Sequence, residues 1–163
     1  MNSILLVITT LFTGLMAGLF YSWSISVTPG LAKLGDEKYL SAFQSMNRAI
    51  INPSFLIVFM GLVILLILLS YFSYNSPTPV QFWYVLSATV LYLAGVMLVT
   101  FLGNIPLNNT LEALKIETMS AEQMASFRLA FESKWNTFNT IRTICSSLSF
   151  LSLVIACTYN GSI

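Results

Sequence analysis

Four stretches of this chain are each long and apolar enough to cross a bilayer, which restricts the fold more than any other feature. A hydrocarbon core about 30 Å thick needs about 20 apolar residues in a helix. The stretches run near Ile4 to Val27, Pro53 to Tyr71, Phe82 to Leu102 and Thr137 to Tyr159. Composition agrees: of 163 residues 56% are hydrophobic and only 8% charged, against about 25% charged in an ordinary soluble domain. The expected fold is all-α, a single four-span domain over residues 1–163, with the lipid bilayer as its first partner.

The first stretch has no Lys or Arg before it, outruns a signal-peptide core and ends in "FYSWSISVTPG" without a small-residue cleavage site, so it reads as a retained helix. All seven Lys and Arg (Lys33, Lys38, Arg48, Lys115, Arg128, Lys134 and Arg142) lie between spans one and two or in the segment from span three into span four. With four spans those connections share a side. The positive-inside rule makes that side cytoplasmic, with both termini and the short "NSPTPVQ" loop outside. This describes a multi-pass protein of a plasma or inner membrane. The formal net charge of +1 and the lack of a basic run speak against nucleic acid.

The connections also carry helical patterns. "TPG" at Thr28 to Gly30 reads as a break, and Asp36 as the N-cap of a helix bearing Tyr39, Leu40, Phe43, Asn47 and Ile50 at helical spacing. That helix runs toward span two, where Pro53 either kinks it or marks a junction. Gly103 and Pro106 suggest that span three stops at "GNIPLNN", with Asn104 capping a short helix to about Ile116. Ser120 and Gln123 form a capping-box pattern, after which no Gly or Pro occurs until Gly161. The expected bundle therefore has helices two and four extended into the cytoplasm.

Cys145 and Cys157 are twelve positions apart on one expected helix, roughly 18 Å by rise, too far to bridge, and read as packing residues. Gly14, Gly18 and Ser22 make a small-residue stripe suited to close helix approach, either inside the bundle or in a homo-oligomer.

The polar residues near the charged boundary are the candidate site. At 100° per residue, Arg128, Glu132, Trp135, Asn139 and Arg142 lie within about 40° of one line, flanked by Phe127, Phe131 and Phe138. Arg128 and Glu132 can pair at i,i+4; Arg142 has no such local carboxylate. Asn47, Arg48 and Asn52 before span two, and Asn104 and Asn108 at the end of span three, fall near the same boundary. Tyr21, Trp23 and Ser24 arrive there from span one, where an interfacial aromatic belt is the better account of Trp23 taken alone. An unpaired arginine or amide buried at that depth costs several kcal/mol, so the set is either a ligand pocket or a structural hydrogen-bond network. The absence of histidine removes His-ligated haem, HExxH zinc sites and Ser/His/Asp triads. No phosphate loop is present, and the six carboxylates form no metal-ligand pattern.

Four segments in order, "AGLFYSWSISVTPGL", "FQSMNRAIINPSF", "GNIPLNNTL" and "FESKWNTFNTIRT", resemble the DUF1772 family of small four-helix membrane proteins, which includes anthrone oxygenases. The resemblance implies oxidation of an activated aromatic carbon by molecular oxygen with no cofactor, on a small lipophilic aromatic ligand. Such chemistry needs a base, oxyanion donors and an aromatic cavity. Residue chemistry offers Glu132 as base, Arg48, Arg142, Asn104 and Asn136 as donors, and Tyr21, Trp23 and Trp135 as walls. Asn47, Asn52, Asn108, Arg128 and Asn139 complete the candidate ligand-binding set. A non-enzymatic binding or transport protein, and a structural membrane subunit, are the alternatives.

Overall fold

The computed structural model describes residues 3–74 and 79–159, and Ser76 with most of the expected external loop lies outside them. Four helices are long and apolar enough to cross a membrane: Ser3–Leu31, Pro53–Tyr74, Pro79–Glu112 and Ala121–Thr158. They form a helical bundle, joined at one end by a shorter helix, Asp36–Ile50. The chain is a multi-pass membrane protein.

The fourth span is the spine, packing along the first span and along the Pro79–Tyr92 part of the third. Its start follows from local chemistry: the Ser120 hydroxyl accepts from Gln123 N–H while the Gln123 side chain accepts from Ser120 N–H, a complete capping box. With 38 residues it is about 57 Å long, so it reaches well beyond a hydrocarbon core.

Two expected breaks are absent. "TPG" does not end the first helix, which continues to Leu31. Gly103 and Pro106 do not stop the third, which continues to Glu112, and Asn104 is helical with no capping bond. Each proline follows a π-helical turn: Trp23–Val27 before Pro29, and Thr100–Asn104 before Pro106. Thr28 N–H bonds to Trp23 carbonyl and Ile105 N–H to Thr100 carbonyl, five residues back. The widened turn makes room where a proline ring would strike the carbonyl four residues earlier.

Asp36 is likewise the first helical residue rather than the cap, which is Gly35. Pro53 marks a junction: the connecting helix ends at Ile50, and Asn52 Oδ1 accepts from Phe55 N–H at 3.0 Å to start the second span.

Apolar packing falls in two layers. The membrane layer is built on Leu62, Leu66, Val85, Tyr92 and Leu153. The second, under the connecting helix, is built on Tyr39, Leu40, Phe43, Phe131 and Trp135. The Phe43 ring lies 4.9 Å from Trp135 and 5.0 Å from Phe131, both edge-on, each pair worth about 1 kcal/mol beyond its burial. Close helix contacts fall on the predicted small-residue stripe at Gly14 alone, and two others lie off it. Gly95 faces Cys145 and Gly103 faces the Phe138 ring so closely that a Cβ would overlap them. Gly14 meets Phe150, whereas Gly18 and Ser22 are exposed and Gly18 has open space around its Cβ direction.

Candidate functional site

Where the two layers meet, a cavity of about 470 Å³ is enclosed by all four spans and the connecting helix, within the size range of small-molecule sites. The third span contributes a stripe four residues apart, Thr100, Asn104, Asn108 and Glu112. The π-helical turn carries the first two, and the α-helical turns after Pro106 carry the others. The fourth span supplies Trp135, Asn139 and Arg142, the first Phe20 and Trp23, and the connecting helix Asn47 and Arg48. Phe55, Phe59 and Phe101 line the rest with aliphatic side chains.

Arg142 is the chemical centre of this wall. It is 7% exposed, and one guanidinium nitrogen donates to Asn139 Oδ1 at 2.9 Å while another reaches Thr100 Oγ1 only at 3.5 Å. The guanidinium lies 4.6 Å from the Phe20 ring and 5.4 Å from Trp135, so ring faces supply part of the stabilisation a carboxylate would give. Among the described residues no carboxylate pairs with it. Asn139 is fixed in turn, donating to Ser24 Oγ at 2.9 Å and to Phe20 carbonyl at 3.4 Å. Trp135 is held by Nε1–H donating to Asn108 Oδ1 at 2.9 Å.

Elsewhere in the bundle buried polar groups find backbone partners: Ser149 donates to Ala88 carbonyl, Gln81 to Ala156 carbonyl and Tyr92 to Phe59 carbonyl. Six buried side-chain nitrogen or oxygen atoms among the described residues have none, and four of the six belong to cavity-lining residues: Asn47 Nδ2, Asn104 Nδ2, Asn104 Oδ1 and Arg142 Nε. Asn104 is 1% exposed with neither amide atom engaged. Groups of this kind are normally satisfied, so their concentration around one cavity gives that cavity hydrogen-bonding capacity for a ligand.

Arg48 donates to Glu112 at 2.6 Å across the cavity rim, and both side chains are substantially exposed. Arg128 and Glu132, from the same sequence stripe, stand away from the cavity. Arg128 donates to Glu132 at 2.9 Å, to Asp36 at 2.8 Å and to the carbonyls of Leu34 and Ala32, with its guanidinium over the Tyr39 ring. It ties the end of the first span and the start of the connecting helix to the fourth span. Burial, and then the Glu132 charge, push the Tyr39 hydroxyl well above the usual tyrosine range.

Of the candidates from sequence, Trp23, Asn47, Arg48, Asn104, Asn108, Trp135, Asn139 and Arg142 surround the cavity. Tyr21 is 53% exposed outside it, Asn52 caps the second span, and Asn136, Arg128 and Glu132 do not line it. The cavity also takes in Glu112, Thr100 and the phenylalanines Phe20, Phe55, Phe59 and Phe101, which lie outside the sequence candidates. Glu112 and Thr100 extend the Asn104 and Asn108 spacing by one step each way, a signal present in the sequence; the phenylalanines carry none that separates them from lipid-facing residues.

The fold and site define a helical multi-pass membrane protein with an apolar cavity closed at one side by an arginine and amides. Its sequence matches the family described as Anthrone oxygenase over residues 54–152, more than half the chain, and the protein belongs to that family. No curated protein and no solved structure matches it.

Proposed function

We propose that the chain is an oxygenase acting on a lipophilic hydroxyaromatic ketone bound in this cavity, with the activated ring carbon as the site of attack. The observation that supports it most is the buried Arg142 guanidinium facing an apolar cavity without a carboxylate partner, beside the unengaged amide of Asn104. A ketone oxygen bound by these donors becomes an enolate oxygen when the activated carbon loses a proton. Pre-organised donors of this kind stabilise such charge strongly in a water-poor site.

Glu112 is the carboxylate among the lining residues, and it takes the proton in this scheme, with Arg48 orienting it. Arg128 and Glu132 then act on structure. The electron-rich enolate transfers electrons to dioxygen and a carbon–oxygen bond forms. Loss of the second proton from that carbon, with cleavage of the O–O bond, leaves a new carbonyl and water. One anthrone and one dioxygen thus give one anthraquinone and one water. The charged connections face the cytoplasm in this proposal, by the positive-inside rule.

The test is oxygen uptake by purified protein in lipid with 1,8-dihydroxyanthrone. The expected result is one dioxygen consumed per quinone formed, above the spontaneous rate, and its loss in Arg142→Gln. Binding without uptake would make the chain a binding protein for such molecules, a reading that the unengaged polar atoms support equally.

A further inference from the structure

Part of the cavity rim is apolar and opens on the outer surface of the bundle. Leu56 and Met60 of the second span are 41% and 44% exposed, and Phe101 of the third is 47% exposed, yet all three line the cavity. They sit within helices long and apolar enough to cross a membrane, so in a bilayer this side of the rim meets lipid.

The opening has a cause in the packing. The second span packs on the first and on the Pro79–Tyr92 part of the third. The Thr100–Asn104 turn packs instead on the fourth span, and Ile105–Glu112 against the connecting helix. Between Phe55 to Met60 on one side and Thr100 to Ile105 on the other, the space is left to the cavity. Arg142 and Asn104, with their unengaged atoms, stand on its inner wall. The other exposed part of the rim carries Ile51 beside Arg48, Asn109 and Glu112, and an apolar ligand coming from water would have to pass its ion pair.

We infer that the ligand is a bilayer-dissolved amphiphile entering sideways between the second and third spans, oxygen-bearing end first, with Leu56, Met60 and Phe101 as the portal. The inference rests on the cavity being a binding site, as proposed above, and is independent of the oxidation chemistry. Lateral entry keeps the ligand's apolar surface out of water throughout and delivers its acceptor oxygens to the part of the inner wall that carries Arg142 and Asn104. A ligand with a hydrocarbon extension would fit, since the extension can remain in lipid past Met60.

Phospholipid acyl chains are a probe of this opening. In the Trp83→Phe protein, which retains Trp23 and Trp135 at the cavity, reconstitution into phosphatidylcholine with brominated chains should quench tryptophan emission. Filling the portal with Leu56→Phe and Met60→Phe should reduce that quenching, and widening it with Phe101→Ala should increase it. Quenching equal in all three proteins, or none in the first, overturns the portal. As a second arm, 1,8-dihydroxyanthraquinone preloaded in the vesicles should associate several-fold more slowly with the filled-portal protein than with the parent; an unchanged rate overturns lateral entry. Portal-dependent quenching with neither quinone binding nor hydroxyanthrone oxidation by the parent protein supports the portal and overturns the function proposed above.

Discussion

Arg142 donates to Asn139 Oδ1 at 2.9 Å, three residues away on the same helix, so an amide stands where a buried guanidinium would ordinarily have a carboxylate. An amide orients the cation without neutralising it. Its charge is left for whatever occupies the cavity, and the cost of that arrangement falls on stability. A buried charge with no ionic partner costs several kcal/mol, more than the cost of about 1 to 3 kcal/mol for leaving the Asn139 Oδ1 acceptor unsatisfied. Arg142→Met should therefore melt in detergent at or above the temperature of the parent protein. Turnover of a hydroxyanthrone should fall about 100-fold or more, the scale of losing one oxyanion donor. A much less stable Arg142→Met protein would show that the guanidinium braces the bundle instead.

The Arg128 contacts predict the opposite balance. Arg128→Ala removes hydrogen bonds to Asp36, Glu132 and the carbonyls of Ala32 and Leu34, and bonds to charged groups contribute about 1.5 to 3 kcal/mol each when buried, less where they are partly exposed. A loss of about 2 kcal/mol overall is expected, seen as a lower melting temperature with ligand affinity retained at temperatures where the protein is folded. Arg48→Ala, by contrast, breaks an exposed ion pair and should change stability by less than about 1 kcal/mol.

Tyr39 offers a pH test. Its buried hydroxyl has no hydrogen-bond partner, and its folded-state pKa lies above the unfolded value. The sign follows from linkage: the neutral hydroxyl is favoured on folding, stability is unaffected by this group below about pH 10, and it declines as the unfolded chain begins to ionise at higher pH. Tyr39→Phe should remove that part of the alkaline loss, measured as melting temperature against pH from 8 to 11. Equal alkaline slopes in the two proteins would rule out Tyr39 as its source.

Glycine substitutions separate packed from lipid-facing positions. Gly95→Ala places a Cβ onto Cys145 and should destabilise by about 1 to 3 kcal/mol through overpacking. Adding Cys145→Gly should recover much of the loss. Gly18→Leu, into open space, should melt close to the parent protein unless Gly18 meets a second copy of the chain, in which case cross-linking yield would fall with it.

Orientation is open to direct labelling. In a background lacking Cys145 and Cys157, a cysteine at Lys115 should react with a membrane-impermeant maleimide only from the cytoplasmic side, and one at Val80 only from the other. The reverse result would put the polar layer and the Arg48–Glu112 rim outside.

How much of this was legible before folding depends on the range of the interactions concerned. The four spans follow from the length of apolar runs, because hydrocarbon thickness sets that length. The Ser120–Gln123 cap and the Arg128–Glu132 pair are contacts within one helical turn, so spacing alone specifies them. The persistence of helix through Pro29 and Pro106 was not legible. Local rules put breaks there, whereas packing against the fourth span and the connecting helix favours a wider turn that keeps the helix going. Nor could sequence divide one stripe on the fourth helix between two fates. Arg128 and Glu132 share a face with Trp135, Asn139 and Arg142, but only the tertiary fold brings Asp36 and the end of the first span to Arg128 while leaving Arg142 beside a cavity. The sequence determined which polar residues reach the membrane boundary. The fold decided which of them are used up by neighbours and which stay unengaged, because that depends on the gap between second and third spans, a distance set by packing between segments far apart in the chain.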